Sequence, residues 1–209
     1  MAQPPAAGTA LPQRAGRLDR DRCVLLVVDI QERLAPHVHD HAGVIARSEA
    51  LLAAARRFRI PCLATEHCAA QIGLLIPQLR ERFAAGEIFA KTCFGATGHP
   101  EFATLVHEHG RAQIVVAGME AHVCVLQTAL GLAAAGYDVL VAGDAVGSRA
   151  ARQVDREFAL ERLRRAGCTV AGTETVLFEW TRAGDDPAFR DVLALVKRLP
   201  PGPPDPRSW

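Results

Sequence analysis

The sequence predicts a three-layer α/β fold in which helices cover both faces of a parallel, six-stranded sheet. Two observations support this prediction. Short apolar segments alternate with longer amphipathic segments, and the first apolar segment, LLVV at 25–28, is continuously hydrophobic. Such a run is typical of a strand buried on both faces, and alternating strands and helices favour a parallel sheet with crossover helices. The 209 residues are sufficient for one domain with a full core.

Six strands are predicted from the short apolar segments. They cover residues 23–30, 61–66, 87–91, 112–118, 138–143 and 168–172. Helices are predicted between and after them, at residues 43–59, 100–109, 123–135, 152–166 and 187–198. The first helix keeps Val44, Leu51 and Ala54 on one face at helical spacing, which marks its core side. No repeat or second domain interrupts the alternation, so we expect one domain over residues 20–199.

Both ends of the chain are predicted to be tails. Residues 1–19 contain three prolines, which oppose the amphipathic helix of a transit peptide, and they lack the apolar core of a secretory signal. We therefore expect a disordered tail there. Residues 200–209 are rich in proline and are expected to form a second tail.

One cysteine stands where a predicted strand turns into a predicted helix, in the segment GMEAHVCV at 118–125. A thiol in the first turn of a helix faces unpaired backbone N–H groups and the positive end of the helix dipole, and both lower its pKa. Cys124 is therefore predicted to be a reactive nucleophile. The alternative is a small buried apolar residue, which is how most free cysteines behave.

An acid and a lysine also follow predicted strands. Asp29 comes directly after the apolar run of the first strand, and Lys91 ends the third. Only Lys91 and Lys197 are lysines, while every other basic residue of the 24 is arginine. A compact ammonium kept where the sequence otherwise prefers arginine suits a catalytic site.

Asp29, Lys91 and Cys124, in that order at strand ends and together with GMEAHVCV, resemble the isochorismatase-like cysteine hydrolases. The resemblance covers residues 20–198 and includes the segments VAGDAVGSR at 141–149 and GTETVLFE at 172–179. These two segments are most similar to the isochorismatase-domain-containing proteins. The resemblance implies a Rossmann-like fold with strand order 3-2-1-4-5-6. Ligands bind such sheets at the point where strand order reverses, between the strands that end at Asp29 and Gly118.

The resemblance also implies a catalytic triad. Asp29 would take the proton of Cys124, Lys91 would hold the carboxylate, and the thiolate would attack a carbonyl to give a thioester. The backbone N–H groups of Glu120 and Cys124 would bind the oxyanion, with a cis peptide between Met119 and Glu120. Five nearby residues are predicted to contact substrate: Gln31, Glu66, His67, Phe94 and His122.

The chemistry expected is hydrolysis of a small amide, carbamoyl or ureido substrate by this amidohydrolase-type triad. Metal-dependent nicotinamidases carry an Asp-x-His pair and a further His after the second strand, whereas this chain has TEHCAAQ at 65–71. Zinc-assisted nicotinamide hydrolysis is thus disfavoured, and Cys124 argues against vinyl-ether cleavage of the isochorismate type. A non-catalytic, oligomeric interaction module on the same fold is the alternative from another class.

No cofactor, metal, membrane or nucleic-acid partner is expected. The net charge is +1, the arginines are dispersed, and no apolar stretch approaches 18 residues. The residues His37, His39 and His41 are read as a polar, solvated turn, with a metal site as the alternative. Six cysteines without a disulfide-type spacing predict a cytoplasmic location. A homo-oligomer is expected, with residues 74–76 and the two tryptophans exposed at the surface.

Overall fold

The computed structural model describes residues 16–201. Its centre is a six-stranded sheet in the order β3-β2-β1-β4-β5-β6, and every neighbouring pair of strands is parallel. The strands are β1 (Cys23–Val28), β2 (Cys62–His67), β3 (Ile88–Lys91), β4 (Gln113–Met119), β5 (Asp138–Gly147) and β6 (Thr169–Ala171). The predicted fold class and strand order are confirmed.

Eight α-helices surround this sheet within the described residues. They are α1 (His41–Arg57), α2 (Ala69–Ile72), α3 (Pro77–Arg80), α4 (Pro100–Glu108), α5 (Leu126–Ala134), α6 (Gln153–Arg165), α7 (Thr173–Thr181) and α8 (Phe189–Val196). The short helices α2 and α3 and the longer α7 were not predicted. The carboxylate of Asp144 accepts bonds from the backbone N–H and the hydroxyl of Thr173, at 2.7 and 2.8 Å, which stabilises the start of α7. That tertiary contact has no local sequence signal.

Two hydrophobic cores lie on opposite faces of the sheet. Alternate residues of β1 point to each, with Cys23, Leu25 and Val27 in the core that also contains Trp180 of α7. The other three residues of the strand join the core under α4, α5 and α6. All six residues of β1 are buried, which explains the continuous apolar run of the sequence.

The predicted tails lie largely outside the described residues, which leave out 1–15 and 202–209. Within the predicted N-terminal tail, Leu18 is buried and its N–H donates to the carboxylate of Glu179 at 2.8 Å. The packed domain therefore starts slightly before residue 20. In the part of the chain that the structure describes, no helix is both long and apolar enough to cross a membrane.

Strands β1 and β4 approach each other closely where the strand order reverses. Gly118 is paired with Val28 and has a φ of +126°, a conformation that favours glycine. A Cβ atom at Gly118 would lie 2.0 Å from the carbonyl oxygen of Val28. The absence of a side chain at Gly118 lets β1 and β4 approach each other at this edge of the sheet.

Candidate active site

Asp29 and Lys91 form a buried ion pair at the carboxyl edge of the sheet. The ammonium Nζ of Lys91 lies 2.7 Å from Oδ2 of Asp29, and neither side chain has solvent exposure. Asp29 follows β1 with a φ of +49°, and Lys91 ends β3. Strand β2 separates the two, so the pair spans three strands of the sheet.

The remaining oxygen of Asp29 is held by Thr65. The hydroxyl of Thr65 donates to Oδ1 of Asp29 at 2.6 Å, and the backbone N–H of Asp29 donates to the Thr65 carbonyl at 3.1 Å. Thr65 is fully buried near the end of β2. Sequence reasoning missed this residue, since a single hydroxyl within a strand has no distinguishing pattern.

The ammonium of Lys91 also faces two backbone carbonyls. Its Nζ lies 3.3 Å from the oxygen of Cys93 and 3.2 Å from the oxygen of Phe94. An ammonium has three N–H donors, and together with Asp29 these carbonyls supply three acceptors. The arrangement orients the cation and holds the 93–94 segment against the site.

Cys124 lies in a π-helical turn, Ala121–Val125, that leads into α5. The residue is 6% exposed. Burial, followed by the negative charge of Asp29, raises the pKa of the Cys124 thiol far above its ordinary value, and Lys91 opposes this only in part. The expected lowering of this pKa is therefore wrong. Depth in the core and the neighbouring carboxylate of Asp29 outweigh the position at a helix start.

The turn that carries Cys124 is held in place by hydrogen bonds to Glu120, the residue that precedes it. The peptide bond between Met119 and Glu120 is cis. The carbonyl of Glu120 accepts bonds from the N–H groups of Val123 and Val125, at 3.1 and 3.2 Å. Its carboxylate accepts from the backbone N–H and the Nε of Arg149, at 3.2 and 3.0 Å. These bonds attach the turn that carries Cys124 to the residues that follow β5.

The side-chain amide of Gln31 is hydrogen bonded within the protein. Its amide nitrogen donates to the carbonyls of His67 and Gly73, at 3.0 and 2.6 Å, and its oxygen accepts from the His67 N–H at 2.8 Å. The side chain is fully buried. We therefore assign Gln31 to holding the loops at this edge, in place of the predicted substrate contact.

Glu66 has a similar role. Its Oε1 accepts from the Leu75 N–H at 2.8 Å and is hydrogen bonded to the guanidinium of Arg80. These contacts tie the segment between α2 and α3 to β2. The prediction that Glu66 contacts substrate is replaced by this structural role, because its carboxylate is buried and already paired.

His67, Phe94 and His122 remain candidates for substrate contact. The rings of His67 and Phe94 are 5.1 Å apart, and Phe94 is 51% exposed. The buried Nδ1 of His67 has no hydrogen-bond partner among residues 16–201. His122 is partly exposed, and its Nδ1 lies 2.8 Å from the hydroxyl of Ser148. His67 ends β2, Phe94 follows β3, and His122 lies in the turn that carries Cys124.

The isochorismatase family model, described as the isochorismatase domain, matches residues 23–175, which contain the whole arrangement. The chain belongs to the isochorismatase family. Isochorismatase domain-containing protein 2 of Danio rerio is 33% identical over 187 residues, covering 89% of this chain and 92% of that protein.

Two solved structures are closely similar in fold. The MAR1 ribonuclease of Caenorhabditis elegans has a TM-score of 0.84 and 32% identity, over 91% of this chain and 98% of that chain. The YcaC gene product of Escherichia coli, described as an octameric hydrolase of unknown specificity, has a TM-score of 0.79 and 27% identity, over 90% of each chain. These are proteins that this family member is similar to.

No metal centre forms among the described residues of this isochorismatase-family chain. Residues 16–201 contain no group of three or more His, Cys, Asp or Glu side chains placed to hold an ion. His37 and His39, which precede α1, and His41, which begins it, are exposed. In the TEHCAAQ segment, Glu66 is paired with Arg80 instead.

Proposed function

We propose that this isochorismatase-family protein is a cysteine hydrolase that cleaves a small amide, carbamoyl or ureido substrate through a thioester on Cys124. The observation that supports the proposal most strongly is the fully buried Asp29–Lys91 ion pair beside the thiol. A buried ion pair contributes little to net stability compared with apolar residues of the same volume, so a functional reason for it is favoured.

In the first half of the reaction, Asp29 takes the proton of Cys124 while the sulfur attacks the carbonyl carbon. A C–S bond forms and the carbonyl electrons move to oxygen. Asp29 then gives its proton to the leaving nitrogen, the C–N bond breaks, and ammonia or an amine departs from the thioester. Because burial raises the pKa of the thiol, a base in contact with it is required for attack at neutral pH.

In the second half, Asp29 takes a proton from water as the water oxygen attacks the thioester carbon. The C–S bond breaks, the acid product leaves, and the proton on Asp29 returns to the sulfur of Cys124. The carboxylate is thus base, acid, base and again acid in turn. The role of Lys91 is to hold Oδ2 of Asp29 by its hydrogen bond, so that the carboxylate stays aimed at the sulfur.

The developing oxyanion needs donors that are already in place. We assign this task to the backbone N–H groups of Glu120 and Cys124, which lie in the turn fixed by the bonds to Glu120. Loss of one such donor typically costs about 2.7 to 4 kcal/mol of transition-state stabilisation. The rings of His67, Phe94 and His122 would then contact the acyl group on the open side.

The likeness to a protein described as a ribonuclease raises a different substrate class. RNA binding depends on unpaired cationic groups that neutralise phosphates. This chain has a net charge of +1, and at the site Lys91 and Arg149 are both paired with carboxylates. A small, uncharged acyl substrate is therefore favoured, and RNA is one arm of the test.

A reducing, cytoplasmic location is proposed as well, supported by a cysteine spacing in the sequence that is not of the disulfide type. Oligomerisation is proposed as well, supported by the similarity to an octameric hydrolase.

The test is a panel of primary amides, carbamoyl compounds and ureido acids, with ammonia release as the readout and the Cys124→Ser variant as the control. Nicotinamide, isochorismate and RNA are included as further arms. We expect ammonia from at least one panel compound, unchanged after dialysis against chelator and absent from the variant. Turnover that the Cys124→Ser variant retains, or that needs added zinc, would contradict the proposal. Turnover of RNA alone, or of no arm at all, would do so as well.

A further inference from the structure

Helix α6 exposes two large apolar side chains on one face. Val154 is 66% exposed and Phe158 is 68% exposed, which are the highest values for large hydrophobic residues among residues 16–201. They are four residues apart, so they are neighbours on the helix surface. The rest of the exposed surface of α6 is strongly charged, and an apolar pair with such flanks is typical of a contact surface.

The surface expected from the sequence does not have this character. Leu75 and Ile76 are buried, because Leu75 pairs with Gln31 and its N–H is held by Glu66. Trp180 is completely buried in the core. The prediction that residues 74–76 and this tryptophan form an exposed apolar surface is wrong, apart from Leu74 at 43% exposure. Trp209 lies outside the described residues.

The charges beside the apolar pair are arranged for contact with a second copy. At 100° per residue around the helix axis, Asp155 and Arg162 lie on the same side of Phe158. Asp155 is about one turn before Phe158, and Arg162 is about one turn after it. If two α6 helices pack antiparallel about a two-fold axis at Phe158, Asp155 lies opposite Arg162 of the partner subunit, and the pair occurs twice. In a parallel arrangement, Arg162 of one subunit would instead lie level with the same arginine of the second subunit, so that like charges are brought together.

We propose that α6 is a two-fold contact between two copies of this chain, centred on Phe158. The antiparallel arrangement buries Val154 and Phe158, matches the acidic and basic sides, and opposes the two helix dipoles favourably. The helix packs behind the turn that carries Cys124. It also follows directly on the loop where Arg149 holds Glu120. The contact would therefore support the elements that position Cys124, and it does not depend on the proposed chemistry.

Light scattering on the full chain at about 20 μM tests the contact. Wild type is expected at a mass of two chains or a multiple of two. Phe158→Glu and, separately, Phe158→Arg are expected to lower that mass at least twofold, since each places like charges at the axis. An equimolar mixture of the two variants is expected to recover the lost association, because glutamate then faces arginine. Val154→Glu is the second variant, in case Phe158 substitutions reduce folding.

Leu74→Glu is the matched control, with the same change at an exposed apolar residue elsewhere, and it should keep the wild-type mass. Circular dichroism establishes that each variant is folded. A wild-type mass of one chain would overturn the proposal. So would wild-type mass in both Phe158→Glu and Val154→Glu, or folded glutamate and arginine variants that fail to associate on mixing.

Discussion

Thr65 donates its hydroxyl hydrogen to Oδ1 of Asp29 at 2.6 Å, while Lys91 binds Oδ2 of the same carboxylate at 2.7 Å. All three side chains are buried, so neither bond competes with bulk water. Each oxygen of Asp29 thus has its own protein donor. The carboxylate is therefore fixed in one orientation, as the proposed proton transfer from Cys124 requires.

We expect Thr65→Val, which removes the hydroxyl at constant shape, to lower kcat about tenfold to a hundredfold, since a hydrogen bond to a charged group contributes about 1.5 to 3 kcal/mol. Thr65→Ser, which keeps the hydroxyl, should restore kcat. A valine variant with the kcat of wild type would show that Thr65 only fills space.

Lys91→Arg should lower kcat/KM at least about a hundredfold although the charge is unchanged. A planar guanidinium cannot replace an ammonium that meets Asp29 and two carbonyls in a buried space, and a misplacement near 1 Å can cost this much. Lys197→Arg is the matched control, because it is the other lysine of the chain and is exposed. An arginine variant within threefold of wild type would reduce the triad to Asp29 and Cys124.

The raised pKa of Cys124 makes a prediction with a definite sign. Its second cause after burial is the negative charge of Asp29, with Lys91 acting in the opposite direction. Asp29→Asn removes the negative charge and leaves the ammonium, so the thiolate should form at lower pH than in wild type while turnover is lost. Thiolate absorbance near 240 nm, measured against the Cys124→Ser background, reports this titration. A thiolate that forms at higher pH in Asp29→Asn would contradict the electrostatic account.

Alkaline pH should destabilise the fold through its buried thiols. Burial raises the pKa of Cys23 and of Cys62 to about 12 from an ordinary 9.0, so the folded chain keeps both thiols protonated. The stability these thiols confer is complete below pH 9. Above pH 9 only the thiols of the unfolded chain ionise. The free energy of unfolding therefore decreases by about 1.4 kcal/mol per thiol for each pH unit, up to about pH 12.

Urea unfolding at several pH values between 8 and 11 measures this slope. Cys62→Ala should reduce the slope by the share of one thiol, whatever its effect on stability at pH 8. A slope that is identical in wild type and variant would mean that Cys62 ionises as readily in the folded chain as in the unfolded one.

The fold could be predicted because its signals are local, and the same kind of signal singled out Asp29 and Lys91, which form an ion pair. A strand buried on both faces needs a continuous apolar run, which β1 has, and a charged residue that ends such a run must find a partner. Lys91 could be recognised as a candidate site residue because all but one of the other basic residues are arginine. The resemblance then supplied the strand order, which no single segment contains.

The errors arose where tertiary contacts decide the outcome. Burial depth sets the pKa of Cys124, and it cannot be read from a helix start. Gln31 and Glu66 lie beside the motifs, yet their polar groups hold the segment at 72–80. That same segment packs back onto the sheet, which buries Leu75 although nothing in its own sequence predicts this.

The central claim is that Cys124 forms a covalent acyl intermediate. Mass spectrometry of a reaction quenched in acid within the first turnover, with the best amide of the panel, tests it most directly. We predict that the peptide containing Cys124 gains the mass of the acyl group, that hydroxylamine removes it, and that Asp29→Asn shows none. Turnover of that amide with an unmodified Cys124 peptide at every quench time, or with the acyl group on another residue, would contradict the mechanism.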